Sequence, residues 1–372
     1  MKIFFGIFIS FIFATFVFNT YVDIAGQQSG NFVYELSQSQ KENQVLTWDR
    51  LFDQRIWLNA RFDSMQLKDC PEVLILSSST LGGIDSSNFP KRKFLNGWMA
   101  APSIEDFEAT THLIEQSNCP HLEIWMGMDP WFFNAKEKSD RWTSAIQPFT
   151  SYQIDHGDIF RSIKGYSSFW SRAKDRLSYV TTRESLLYFK THLGDVTYLD
   201  KPKLIAVGPS LDKLCSSTKS ELYLRAQDGH FFGCPRFSLT QEQISYLSST
   251  YLERNTHGMR EWQQVDTDVV QRLSTIMNVL TKRGHRIVLI APVYHPTTYN
   301  SLIANEHVQS KLNFIDARMK ELAYRHGSSF VNLRNPQIPG CTASEFEDSH
   351  HAGADCLKKE VAAIAHRSDS SN

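Results

Sequence analysis

The chain reads as an α/β protein built on a mainly parallel sheet, and three observations carry that expectation. Short apolar runs without alternation, Val73 to Ser77, Leu122 to Gly127 and Arg286 to Val293, have the character of strands buried on both faces. Each run ends in punctuation: a serine cluster, Gly127 with Pro130, and Pro292 with Pro296. Between them lie segments of helical period, the clearest at 266–283, where Val269, Val270, Leu273, Ile276, Met277 and Leu280 recur at helical spacing. Strands alternating with such helices predict parallel pairing through crossovers.

Length and composition bound the answer. The 372 residues, 41% hydrophobic and 21% charged, suit one large domain with an elaboration, or two domains. A net charge of -1 offers no basic surface to nucleic acid, and no acidic run suggests a solvating tail. Nothing recurs at the period of a solenoid or propeller.

Residues 1–26 differ in kind. After Met1-Lys2, the run Ile3 to Phe18 is uncharged and rich in phenylalanine, and Asn19 to Val22 extend it. It is long for the apolar part of a signal peptide and short for a spanning helix. Asp23-Ile24-Ala25-Gly26 makes a poor cleavage site, which favours an uncleaved membrane anchor over a removed signal. Lys2 would then stay inside, and everything after about residue 23 would face outside.

The six cysteines suit that side of a membrane. Cys70-Pro71 and Cys119-Pro120 stand at equal offset ahead of two apolar runs, so parallel strands in register would bring these two cysteines together. Cys215 and Cys234 could close a loop in the middle region, and Cys341 and Cys356 would brace the segment between them. Six reduced, buried thiols are the alternative, and the connectivity stays open.

Taken in order, residues 27–69 read as a stem that leads into a helix near 47–62, and the main domain spans 70–366. The strand Val73 to Ser77 leaves Ser77, Ser78 and Ser79 on the turn at its C-terminal edge, where open α/β sheets bind ligands. A short strand within Arg92 to Trp98 runs into Ala100-Ala101-Pro102, and Ser103 caps a helix from Ile104 to about Gln116. Leu122 to Gly127 is followed by Met128-Asp129-Pro130-Trp131. An insertion or cap at about 135–260 breaks the rhythm, with helical stretches near 166–190 and a hairpin about Asp228-Gly229. Its Trp170, Tyr223, His230, Phe231 and Phe232 either line a substrate groove or form the insertion's own core. The βα rhythm returns with the helix at 266–283 and the strand Arg286 to Val293, which runs into Tyr294-His295-Pro296. A helix near 313–326, a strand Ser329 to Leu333, a loop bearing Cys341 and a last helix at about 354–365 follow. Residues 367–372 form a polar tail.

Near the end stands Phe346-Glu347-Asp348-Ser349-His350-His351. An acid three residues ahead of a histidine can hold the imidazole by one ring nitrogen while the other faces a hydroxyl, although the same pattern arises at capped helix starts. Four loops, Ser77 to Gly82, Asn96 to Ser103, Gly127 to Asn134 and 341–353, fall at one edge of a parallel sheet. Ser79 is then the candidate nucleophile, His351 its base and Asp348 the orienting acid. Developing oxyanion charge needs donors, available from the Ser79 N–H and a loop N–H near Ala101. His295 ends a strand at the same edge and either contacts substrate or shapes its loop. No paired histidine or cysteine spacing points to a metal.

This set resembles the SGNH/GDSL hydrolase-like superfamily, and most closely the membrane-anchored or periplasmic SGNH-like proteins that acylate bacterial surface polysaccharides. Leu76-Ser77-Ser78-Ser79-Thr80 is similar to the Gly-Ser-Ser-Arg variant of the first block, with Ser79 in the nucleophile position. Asn96 to Asp106 resembles the second block, Gly127-Met128-Asp129 occupies the Gly-x-Asn block, and Asp348-Ser349-His350-His351 resembles the last. Three positions depart from the pattern: Ser77 and Ala101 stand where glycines are usual, and Asp129 stands where the family has an oxyanion-hole asparagine. An ionised Asp129 cannot donate, so it must be protonated, turned away or used otherwise. His350 is expected at the surface or against substrate.

The resemblance implies a three-layer, mainly parallel, flavodoxin-like sheet and needs no cofactor. It implies an O-acyltransferase or esterase that acts on a cell-surface carbohydrate through an acyl-serine. The partners would be an acylated donor, a carbohydrate acceptor and a membrane acyl-transfer protein, with no nucleic acid. The location would be the bacterial cytoplasmic membrane, single-pass with the domain facing the periplasm, or secreted after cleavage. A non-catalytic SGNH-like binding or assembly component of an envelope polysaccharide machine is the alternative from another class.

Overall fold

The structure is a computed structural model and describes residues 2–22, 31–48, 52–136, 139–157, 182, 202–218, 222–234 and 238–369. Its elements in chain order begin with α1 (Lys2–Val22), α2 (Asn31–Ser39), β1 (Gln44–Trp48), α3 (Gln54–Asp63), β2 (Val73–Leu76) and β3 (Phe94–Asn96). Next come α4 (Ile104–Ser117), β4 (Glu123–Gly127), α5 (Ile146–His156), β5 (Lys203–Ala206), α6 (Pro209–Ser217), β6 (Tyr223–Ala226), β7 (Phe231–Gly233) and α7 (Gln241–Ser249). The chain closes with α8 (Thr267–Lys282), β8 (Arg286–Ala291), α9 (Pro296–Ala304), α10 (Glu306–Arg325), β9 (Ser329–Asn332) and α11 (Ala354–Asp369).

The strands β3-β2-β4-β8-β9 form one sheet in that order, and every pair in it is parallel. This is a doubly wound order: the chain starts at β2, steps to the β3 edge, then crosses back to β4. The crossover direction reverses between β2 and β4, which opens a crevice at their carboxyl ends. Successive side chains alternate between two cores, as a pleated strand requires. Leu74, Leu76, Ile124, Met126, Ile287 and Leu289 pack with apolar residues of α4, α8 and α10. Val73, Ile75, Trp125, Val288 and Ile290 pack with Leu357, Val361 and Ile364 of α11. The three layers follow from that alternation.

Most expected elements appear with small shifts at their ends, but the helix expected near 313–326 already begins at Glu306 and is preceded by α9. α4 starts behind Ser103, whose N–H donates to Asp106 Oδ2 at 2.8 Å, and α8 starts behind Asp266, which accepts from the Asp268 N–H at 3.0 Å. The segment read as a helix from residue 47 is different. Val45, Leu46, Thr47 and Trp48 are buried in β1, which pairs antiparallel with β5 and β6. Helix α3 begins only after Asp53, whose side chain caps it by accepting from the Arg55 N–H at 2.9 Å. The expected stem therefore contributes a strand and a packed helix. A second, antiparallel sheet of order β5-β1-β6-β7 joins it to the insertion. The hairpin about Asp228-Gly229 is present, with Gly229 at φ +87°. The helical stretch near 166–190 falls almost wholly outside the described residues, and Trp170 and the last residues of the tail fall outside them too.

Helix α1 is 21 residues long with Lys2 as its one charge. Ten of its side chains fall outside the described set, and among the described residues no helix is long and apolar enough to cross a membrane. Three disulfides join Cys70 to Cys119, Cys215 to Cys234 and Cys341 to Cys356. The first links the residues ahead of β2 and β4, where register brings Val73 opposite Glu123.

Candidate functional site

The serine turn follows from the end of β2. Ser78 leaves the strand in extended conformation and accepts from the Thr80 N–H at 3.2 Å, capping a single 3-10 turn over Ser79–Leu81. Strand β4 presses against this turn at Gly127, where an added Cβ would lie 2.6 Å from the Ser77 Cβ. Only glycine allows that approach. On the other side Asn96 donates through Nδ2 to Leu81 O and Ile84 O, both at 2.9 Å, and ties the turn to the end of β3.

Ser79 Oγ lies 2.7 Å from His351 Nε2, and His351 Nδ1 lies 2.6 Å from Asp348 Oδ2. The other carboxylate oxygen of Asp348 accepts from the backbone N–H groups of His350 and His351, each at 2.8 Å. One carboxylate thus shapes the loop and orients the ring. The Cys341–Cys356 bond closes this loop from outside, and Gly353 N–H donates to Glu345 O at 2.7 Å just before α11. Burial pushes the Asp348 carboxyl up, but the neighbouring His351 and the hydrogen bonds outweigh it and hold the group well below the usual carboxylate range. Burial works against the His351 imidazolium, yet Asp348 overcomes it and lifts this imidazole above the ordinary 6.5. The base is therefore a strengthened one.

The remaining expected residues divide. Ala101 sits in the loop that runs beside the serine strand, where Met99 N–H donates to Ser77 O at 2.8 Å. Its φ is +44°, and among the described residues neither its N–H nor that of Ser79 has an acceptor. Two backbone donors are thus left unspent on the loops that flank Ser79. Asp129 is turned inward beneath the serine turn. It is 2% exposed, Oδ2 accepts from Thr80 Oγ1 at 3.4 Å, and Oδ1 is buried without a partner. Burial pushes its carboxyl up to about 6. His295 is a capping residue: its Nδ1 accepts from the Thr297 N–H at 3.2 Å at the start of α9, and its ring meets Phe346 edge-on. His350, expected at the surface or against substrate, is mostly buried, with Nδ1 3.1 Å from Ser349 Oγ and Nε2 3.5 Å from His257 Nε2. Burial pushes its imidazole down, so it stays neutral.

Several neighbours of the site carried no recognisable signal. His257 adopts φ +54° and stacks on Trp131 at 4.1 Å, facing His350. A left-handed histidine has no sequence signature beyond the nearby Asn255 and Gly258. Arg225 reaches in from the second sheet and Glu360 from α11, where it accepts from the Val293 N–H at 2.9 Å. Of the aromatic residues expected to line a groove, Phe231 packs on Trp98. His230 and Phe232 line a cleft of about 730 Å³ together with Arg61, Arg92 and Asp228, apart from Ser79 and His351. Asp348, His350 and His351 bring ligand-type atoms within 4.8 Å of one another, among the described residues. Both ring nitrogens of His351 are already engaged, with Ser79 and Asp348.

A hydroxyl, a base and an orienting carboxylate therefore stand in line at the switch point of a doubly wound parallel sheet. Such a chain can deprotonate the serine as it attacks an electrophilic carbon. Comparison of the chain with protein-family models and with curated proteins returns no match.

Proposed function

We propose that the protein is an SGNH-like serine O-acyltransferase or esterase that works on a cell-surface carbohydrate. The observation that carries this reading is the hydrogen-bonded chain Asp348–His351–Ser79, with distances of 2.6 and 2.7 Å. Ser79 Oγ attacks the carbonyl carbon of an acyl ester while His351 Nε2 takes its proton. The oxyanion is met by the N–H groups of Ser79 and Ala101. Collapse expels the alcohol, which takes the proton back from His351 and leaves an acyl-serine. A sugar hydroxyl, or water, then gives its proton to His351 and attacks the acyl carbon, and Ser79 recovers its proton. Transfer and hydrolysis share every residue and differ in the acceptor admitted.

The three disulfides and the apolar first helix support an extracytoplasmic setting, with α1 as anchor and the acyl donor and acceptor outside the membrane. The test in the cell is the O-acyl content of surface polysaccharide: Ser79→Ala abolishes the substitution this protein makes. Unchanged O-acylation in that strain refutes the reading. The buried Asp129 favours a second reading, a non-catalytic binding or assembly component, because a carboxylate stands where a donor is expected. Under that reading Ser79 stays inert towards a fluorophosphonate.

A further inference from the structure

Arg225 is fully buried, and its guanidinium lies between two indole rings, 3.9 Å from the Trp57 centroid and 5.1 Å from that of Trp98. Among the described residues no carboxylate accepts from it. Nη2 donates to Asn96 O at 3.0 Å and to Trp98 O at 3.3 Å, while Nε and Nη1 have no partner. Asp228 attracts the guanidinium without a hydrogen bond, and burying a cation so weakly paired is costly, so its position calls for a gain elsewhere.

The gain lies in the geometry of β3. This strand is the edge of the parallel sheet, and an edge leaves one row of carbonyls and N–H groups unpaired. Past Asn96 the chain stays extended: Gly97 N–H donates to Ile75 O at 2.7 Å and Met99 N–H to Ser77 O at 2.8 Å. Alternation turns the carbonyls of Asn96 and Trp98 the other way, outward from the sheet. Arg225 takes both. Asp228 O accepts the Asn96 N–H at 2.7 Å, and Phe231 N–H donates to Gly82 O at 2.7 Å on the serine turn. The β6–β7 hairpin thus stands in for the missing neighbour strand, with a side chain where backbone donors would be.

We infer that Arg225 is a positioning residue of the oxyanion side of the site, acting on the loop upstream of where Gln54 and Arg55 hold the N–H and carbonyl of Ala100, at 3.3 Å each. By holding Asn96 O and Trp98 O it keeps the loop extended along the serine strand to Met99, and so sets the path on which Ala101 follows two residues later. The inference rests on the proposed acyl-serine chemistry. It gives the insertion a role in that chemistry and assigns Arg225 no contact with substrate.

The test uses the full chain and a fluorophosphonate probe. Wild type must first react at Ser79; if it does not, the acyl-serine reading fails, not the assignment of Arg225. Arg225→Met keeps the packing against the indoles and removes both donor bonds; the two carbonyls lose their donor, while the cost of the buried charge is lifted. Its maximal rate of phosphonylation is expected to fall ~100-fold, the cost of misplacing one oxyanion donor. The concentration of probe at half-saturation and the pH limb set by His351 stay where they are. Guanidinium ion added to Arg225→Ala restores part of the rate, which a purely structural defect would not allow. Should Arg225→Met fail to fold, Arg225→Lys keeps the charge and one donor and is expected to react between the two extremes. A folded variant that reacts at the wild-type rate, or a slow Arg225→Ala that guanidinium does not help, overturns the assignment.

Discussion

Replacing Asp129 by asparagine tests how the site handles the carboxylate beneath its nucleophile. Burial moves this carboxyl from its ordinary 3.8 to about 6. A carboxyl whose folded pKa lies above its unfolded one weakens the fold as pH rises through that interval, and the cost is complete above the folded value. At ~1.4 kcal/mol per pH unit the gap is worth about 3 kcal/mol at pH 8. An amide cannot ionise and escapes that cost, but it places an NH2 where Oδ1 finds no partner, at about 1–3 kcal/mol. The amide's own cost does not depend on pH. The difference in stability between Asp129→Asn and wild type, measured by urea unfolding, is therefore expected to shift in favour of the variant by about 2–3 kcal/mol between pH 4 and pH 8. An unchanged difference across that range would mean that Asp129 is not a buried, ionising carboxyl, and the reasoning about the site would fall with it. The same variant reacts with a fluorophosphonate at pH 8 at least as fast as wild type, because the negative charge beneath the oxyanion is gone.

The other predictions are more direct. Asp348→Asn lowers the rate at Ser79 by ~10³–10⁴-fold at pH 8, and it moves the rising pH limb downward, since Asp348 is what lifts His351 above 6.5; a limb that stays put refutes the pairing. Gly127→Ala forces the serine turn away from a Cβ placed 2.6 Å from that of Ser77, which costs about 1–3 kcal/mol in urea unfolding and slows the probe; neutral behaviour in both would contradict the close approach. Removing the Cys341–Cys356 bond, which spans a separation of 15 residues, costs about 3 kcal/mol, and because the Asp348–His351 loop lies inside it, probe kinetics should slow more than a control at Cys215–Cys234.

Much of the site was legible because its signals are local. An unbroken apolar run ending in serines marks a buried parallel strand and its carboxyl edge, and Asp348 with His351 lies within one turn of chain. The Cys70–Cys119 pair followed from the equal offset of the two residues ahead of strands that lie side by side; the connectivity of the other four cysteines stayed open. What was missed depends on contacts between distant segments. Thr47 and Trp48 resemble a helix start until Lys203–Ala206 and Tyr223–Ala226 arrive to pair with them. His350 reads as a surface or substrate-contacting residue, and its packing against Trp131, Tyr251 and His257 shows only once those segments are in place. The helix expected near 313–326 begins earlier, at Glu306, because Asn305 caps α10, accepting from the Val308 N–H at 3.1 Å. Arg225 gave no local hint at all, since its partners lie more than a hundred residues away in the chain.

The account stands or falls on the reactivity of one hydroxyl. Peptide mass mapping after exposure to a fluorophosphonate at pH 8 is expected to find one adduct, on Ser79, absent from His351→Ala. No adduct, or one on Ser77 or Ser78 that survives His351→Ala, would contradict it.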